Sequence, residues 1–144
     1  GVIRRTGVEQ HTSGRTHASI FELMPAMVDR KVDEALTTLK SLLEDGEEGV
    51  RLLAFFANEW NLIWEANGLT ARRASSAEAM RQLGVSSGRW FHLERTAKRM
   101  TPERLADGIE AMLEADLSLK TGDGEAVFIW ERLVYRLCGV VGGS

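Results

Sequence analysis

The sequence predicts an all-α protein, a bundle of six or seven helices forming one domain. Its 144 residues are enough for one domain with a sizeable core. Only two prolines and one tyrosine occur, in a chain dominated by Ala, Leu, Arg, Glu and Met, which favours helix over sheet. Apolar residues recur every three or four positions, and outside residues 1–3 no segment alternates apolar and polar residues over the length of a strand.

The chain begins with a polar segment that leads into the first helix. Residues 1–18 show no clear periodicity, and we interpret them as a linker or a strand remnant. Ser19 and Glu22 have the spacing of a capping box, which predicts a helix beginning at Ile20. Pro25 should kink this helix or make it start later, because proline lacks the backbone N–H that a helix interior uses.

The next two helices are predicted from their apolar stripes. One should run from Lys31 to Asp45 and end at Gly46, and the other should run from Glu48 to Asn67 and end at Gly68. The second has an unusually wide apolar surface and should lie centrally, buried on several sides. The residues that form this surface are Val50, Leu52, Leu53, Ala54, Phe55, Phe56, Ala57, Trp60, Ile63 and Trp64.

Two shorter helices follow, each with a recognisable start or end. Ser75 and Glu78 again have capping-box spacing, which predicts a fourth helix that reaches Leu83 and ends at Gly84. A fifth helix is expected over roughly 87–100, with its apolar residues facing inward.

The sixth helix has the clearest signals at both ends. The run Thr101-Pro102-Glu103 combines a capping hydroxyl, a proline at the first helical position and an acid, and the helix should extend to Thr121. Asp116 and Lys120 are one turn apart and should form an ion pair near the helix end. Gly122 can adopt the left-handed conformation that terminates a helix.

The last helix is predicted from Glu125 to Leu137, followed by a disordered tail over 139–144. Cys138, the single cysteine, falls on the apolar side of this helix and allows no internal disulfide, in keeping with a reducing cytoplasm. No apolar stretch approaches the roughly 20 residues of a membrane span, and no signal peptide is visible. Because the chain starts without Met, we expect a piece of a longer protein.

Residues with catalytic or ligand-binding chemistry are not grouped in the sequence. His11, His17 and His92 are scattered, and Cys138 is remote from them. The run Lys120-Thr121-Gly122 contains the lysine and threonine of a phosphate loop, but it closes a helix, where the dipole disfavours phosphate. We therefore expect no catalytic residue, no cofactor and no metal.

A helix-turn-helix that binds DNA is the alternative interpretation of segment 72–104. The fourth helix, a glycine turn and a newly capped fifth helix have the required order. The segment carries eight basic and three acidic residues, whereas the whole chain has a net charge of −3. The candidate DNA contacts are Arg89, Arg95, Lys98 and Arg99. No Asn or Gln lies in 87–100 to contact bases.

An ordered series of short matches makes the chain similar to a known family. The matching residues are Val8-Glu9, Ile20-Phe21-Glu22-Leu23, Ala35-Leu36, Leu39, Leu42, Leu43, Gly46-Glu47, Leu52-Leu53, Ala79, Leu83-Gly84-Val85, Leu105, the run from Asp116 to Gly122, Glu131 and Leu133. Together they resemble the C-terminal domain of the delta subunit of bacterial DNA polymerase III, a clamp-loader subunit that opens the sliding clamp.

This resemblance implies a helical collar domain over 19–138, with 1–18 as a linker or the remnant of a preceding AAA+ lid domain. In the family two AAA+-like domains precede the collar, and the first of them binds the clamp. Collar domains of five subunits pack into a ring, so the implied partners are the gamma/tau and delta prime subunits. Contact with DNA is indirect, and no membrane is involved. For association we expect exposed aromatic residues on the long and last helices, namely Phe56, Trp64, Phe128 and Trp130.

Overall fold

All regular structure within residues 21–139, the part of the chain that the computed structural model describes, is α-helical. The helices are α1 (21–28), α2 (Val32–Glu44), α3 (Gly49–Ala71), α4 (Ser76–Leu83), α5 (Ser87–Ala97), α6 (Pro102–Thr121) and α7 (Ala126–Cys138). The predicted all-α fold is confirmed. The expectations for 1–18, for a helix start at Ile20 and for most of the 139–144 tail lie outside the described residues. None of these helices combines the length and apolarity that crossing a bilayer requires.

Helix α3 is the central element, because it packs against α4, α5, α6 and α7. Its Phe56 and Trp60 are fully buried, and the ring of Phe56 lies 6.0 Å from Trp60 and 5.9 Å from Trp130 on α7. Both indoles satisfy their N–H groups inside the core: Trp60 donates to the carbonyl of Leu105 at 2.9 Å, and Trp130 donates to the carbonyl of Gly49 at 3.1 Å. These bonds fix α6 and α7 against α3 and leave neither of the two indole N–H groups unpaired.

The predicted caps of α4 and α6 are confirmed. The hydroxyl of Ser75 accepts a hydrogen bond from the backbone N–H of Glu78, and Thr101 caps α6 in the same way. Gly84 and Gly122 end the two helices with φ of 69° and 71°, in the left-handed region where a side chain is strained. The ion pair expected near the end of α6, between Lys120 and Asp116, is present at 3.0 Å.

The predicted end of α3 at Gly68 is wrong, since the helix continues to Ala71. Gly68 costs a helix only about 1 kcal/mol relative to alanine, and burial of the following residue, Leu69, offsets this cost. The helix ends instead where Arg73 adopts a φ of 60°.

Helix α5 ends earlier than predicted, at Ala97 instead of Met100. The side-chain amide of Asn67 on α3 donates to the carbonyls of Ala97 and Met100, at 3.1 and 3.2 Å, and so fixes the turn in which the helix ends. Pro25 lies within the helical residues 21–28, so a helix start after Pro25 is also wrong.

Candidate association surface

The aromatic residues expected at the surface divide into two buried and two exposed side chains. Phe56 and Trp130 are both 0% exposed, so the expectation that they are exposed is wrong. They face the centre of the bundle, where their rings contact each other. Trp64 and Phe128 retain 37% and 62% of their surface in contact with solvent. A role of these two residues in association remains a prediction.

A shallow apolar groove lies between α3 and α6. The two helices run antiparallel, because the start of α3 at Gly49 lies beside Leu119 and Trp60 bonds to Leu105. The groove has a volume of about 310 Å³. Its lining consists of Leu53, Ala54, Ala57, Asn61, Ile109, Met112, Leu113, Asp116 and Lys120. We call it the α3/α6 groove.

The most exposed apolar residues at this groove were not singled out from the sequence. Leu113, which lines the groove, is 66% exposed, and Leu117, one turn later on α6 and outside the lining, is 65% exposed. The two leucines form an apolar ridge beside the groove. Trp64 follows Ala57 by seven residues and therefore shares its side of α3. The available signal was the pair of leucines four residues apart on a helix whose other apolar residues already formed an inward face.

Phe128 belongs to a different surface, the outward side of α7. Tyr135 lies seven residues later on the same side and is 40% exposed. Phe128 is not among the residues that line the α3/α6 groove. The exposed aromatic residues therefore do not converge on one site.

The opposite side of α6 is joined to α7 by ion pairs. Arg136 contacts Glu114 at 2.9 Å, Asp107 at 3.2 Å and Glu110 at 3.6 Å. The hydrogen bond that Arg136 donates to Asp107 is the main reason why the pKa of Arg136 lies above its ordinary value, and the charges of Asp107 and Glu114 add to it. The ion pairs of this network connect α6 to α7.

Arg89 is paired with a buried side chain of the core and is not a free cation. Its guanidinium makes two hydrogen bonds to the carboxylate of Glu59 on α3, one of them from Nη1 at 2.9 Å. Glu59 is the one buried charged residue among residues 21–139. The same guanidinium lies 5.3 Å from the centre of the Phe21 ring. The structure therefore does not favour Arg89 as a DNA contact, because moving this side chain outward would leave a buried carboxylate unpaired.

Two of the remaining three candidate DNA contacts also have acidic partners. Lys98 pairs with Glu94 at 3.7 Å, and Arg99 pairs with Asp29. Arg95 lies 5.7 Å from the centre of the Phe91 ring. A row of unpaired cations that could follow a phosphate backbone is not present among these four residues, so the geometry does not favour the helix-turn-helix interpretation.

The remaining reactive group of interest is the thiol of Cys138. It is 1% exposed, and burial raises its pKa.

His92 contacts the ring of Phe21 edge-on, with 5.9 Å between ring centres. Within residues 21–139, no group of three or more His, Cys, Asp or Glu side chains is placed to hold a metal ion.

Comparison with known proteins agrees with this helical architecture. A family model described as the DNA polymerase III delta subunit, C-terminal domain, matches residues 17–137. The DNA polymerase III subunit delta of Bacillus subtilis (strain 168) is 26% identical over 119 residues, which cover 83% of this chain and 34% of that relative. The solved Bacillus subtilis DNA clamp loader delta protein matches with a TM-score of 0.78 and 25% identity, over 85% of this chain and 36% of that one.

The chain thus spans about a third of the length of both relatives. The family match, in contrast, extends over most of the sequence, from before α1 to the last turn of α7. This chain therefore belongs to the family formed by the C-terminal domains of DNA polymerase III delta subunits.

Proposed function

We propose that this chain is the collar domain of a delta-like clamp-loader subunit, and that it supports sliding-clamp loading during DNA replication in the bacterial cytoplasm. The domain comprises 19–138, and its task is association with the gamma/tau and delta prime subunits. Contact with the clamp belongs to an N-terminal domain of the parent protein, and contact with DNA is indirect. Membership of the delta C-terminal family and the likeness to a clamp loader delta protein support this proposal.

The observation that carries an association role is the exposed apolar surface at the α3/α6 groove. Leu113 and Leu117 are each about two-thirds exposed. Complete burial of a leucine is worth roughly 1.5–3 kcal/mol, so covering the remaining surface should contribute about 1–2 kcal/mol per residue. Together the two residues would strengthen association by roughly 30- to 1,000-fold.

A binding experiment with purified subunits tests this proposal. The protein that carries this chain would be titrated with gamma/tau and delta prime, first as wild type and then with Leu113→Asn and Leu117→Asn combined. We expect the double variant to raise the dissociation constant at least about 30-fold. Phe91→Asn is the matched control, because Phe91 is 60% exposed on α5 and does not line the groove. An equal loss of affinity in both variants would show that the groove is not part of the interface. Failure of the wild type to associate would refute the collar role.

A gel-shift assay examines the DNA-binding alternative. The collar assignment predicts no tight binding of the chain to duplex or primed-template DNA. Binding that weakens steeply with salt, and that disappears in the combined variant Arg95→Ala and Lys98→Ala, would refute the proposal in favour of the alternative.

A further inference from the structure

Three helix ends meet around the side chain of Arg104. This residue lies in the first turn of α6, where the helix dipole disfavours a cation, but its guanidinium extends to the carboxyl ends of α1 and α7. Nη2 donates to the carbonyls of Met27 at 2.7 Å and Leu137 at 3.1 Å, and Nη1 donates to the carbonyl of Val28 at 3.0 Å. One guanidinium therefore caps the carbonyl ends of two helices that are more than 100 positions apart in sequence.

A second arginine holds the end of α7 next to the first. Arg30 adopts a left-handed φ of 61° after α1, and its Nη1 donates to the carbonyl of Cys138 at 2.7 Å. Gly139 follows with a φ of 75°, and a Cβ at this position would overlap the guanidinium of Arg30. The last turn of α7 is thus closed by contacts that require glycine at 139.

These hydrogen bonds offset the electrostatic cost of placing two positively charged guanidinium groups close together and away from water. Within residues 21–139 neither Arg30 nor Arg104 forms an ion pair with a carboxylate. Backbone carbonyls accept hydrogen bonds from both guanidinium groups, and the sulfur of Met100 accepts one more from Arg104 at 3.4 Å. The Nε of Arg104 is buried and has no hydrogen-bond partner. Burial, and next the charge of Arg30, lower the pKa of Arg104. Water would hydrate both guanidinium groups if the last turn of α7 opened, so desolvation and like charge favour opening while the carbonyl bonds favour closure.

We propose that residues 137–139 form a strap that Arg104 and Arg30 hold closed, and that this strap opens locally while the rest of the bundle stays folded. The preceding part of α7 is anchored separately. Trp130 and Val134 are fully buried, and Trp130 is bonded to Gly49. Opening can therefore stop at the last turn. It uncovers the thiol of Cys138 together with the two guanidinium groups.

The thiol provides a direct measurement of this opening. Cys138 is the single cysteine of the chain, so an aromatic disulfide reagent in excess reports how often the strap opens. We expect the labelling rate of the wild type to be nearly independent of urea at low concentration, because a local opening exposes little surface. Arg104→Met should label on the order of tenfold faster or more, because it removes the hydrogen bond from a charged donor to the Leu137 carbonyl of the strap. Arg30→Met should accelerate labelling by a similar factor, because it removes the hydrogen bond to the carbonyl of Cys138.

Arg136→Met is the matched control. It removes an arginine with several partners from the same helix, but these partners are the carboxylates of α6 and not the carbonyls of the strap. Its labelling rate should stay within about threefold of the wild type, since exposed ion pairs contribute little. Equal acceleration in Arg104→Met and Arg136→Met would overturn the proposal. If Arg104→Met does not fold, the urea dependence of labelling in the wild type tests the proposal instead. A labelling rate that rises with urea as steeply as global unfolding would refute a strap that opens locally.

Discussion

Replacing Arg89 by methionine should destabilise the domain, although the position lies on the face where the sequence suggested a DNA contact. Methionine keeps most of the aliphatic packing of arginine and removes only the guanidinium. Glu59 then loses both hydrogen bonds that compensate its buried charge. The side chain of Glu59 is 8% exposed, so water cannot replace these bonds without local rearrangement.

The expected loss of stability follows from how deeply Arg89 and Glu59 are buried. Removing one partner of a buried ion pair costs about 3–5 kcal/mol, because the remaining charge is left uncompensated. The Arg89 side chain is 25% exposed, so partial access of water places the expected loss at the lower end, about 3 kcal/mol. For a domain of this size such a loss lowers the melting temperature by roughly 10 °C.

A double-mutant cycle separates this ion pair from general packing. Glu59→Met should cost less than Arg89→Met, because the arginine that remains can turn toward solvent while a buried carboxylate cannot. The combined variant should be more stable than Arg89→Met alone, with a coupling energy of about 2 kcal/mol. Urea unfolding followed by circular dichroism measures all four proteins. If Arg89→Met changes the free energy of unfolding by less than about 0.5 kcal/mol, the structural assignment of Arg89 is wrong.

Three further predictions concern two helical glycines and the buried thiol. Gly108→Ala should destabilise the domain by about 1–2 kcal/mol in urea unfolding, because the new Cβ would overlap the hydrogen-bonded indole of Trp60. Gly68→Ala, where a Cβ meets nothing within 4 Å, should stabilise it by about 0.5–1 kcal/mol, and the opposite order would contradict the packing. Since burial raises the pKa of Cys138, its thiol stabilises the fold fully below about pH 8.5 and this contribution is lost as pH rises through the higher folded pKa. Cys138→Ala should abolish this decline, and an unchanged decline in the variant would assign it to another group.

The helix starts and ends that the sequence predicted correctly depend on neighbouring residues only. Ser75 and Thr101 cap helices through hydroxyl groups that bond three residues ahead, and Gly84 and Gly122 end helices through their own backbone conformation. Such signals lie within a few positions of one another, so they can be recognised without knowing the fold. The order and approximate length of most helices follow from them.

The errors occur where distant residues decide the outcome. Gly68 does not end α3, because Leu69 has a place in the core. Asn67 ends α5 from a different helix. The choice between Trp130 in the core and Phe128 at the surface depends on which side of α7 faces α3 and α6. Periodicity identifies an apolar face, but it does not show whether another helix covers that face.

The same limit explains why the sequence showed the α3/α6 groove only indirectly, as an excess of apolar residues on α3 and an outlying pair of leucines on α6. Four helices pack against α3, and they leave the side with Ala54 and Ala57 open. These two alanines form the apolar floor of the groove, and at its edge Asp116 and Lys120 pair with each other at 3.0 Å. A pair at the rim of an interface can remain hydrated when a partner covers the apolar floor, so it adds little desolvation cost. The run that ends α6 therefore also sets one polar border of the surface that we propose for association.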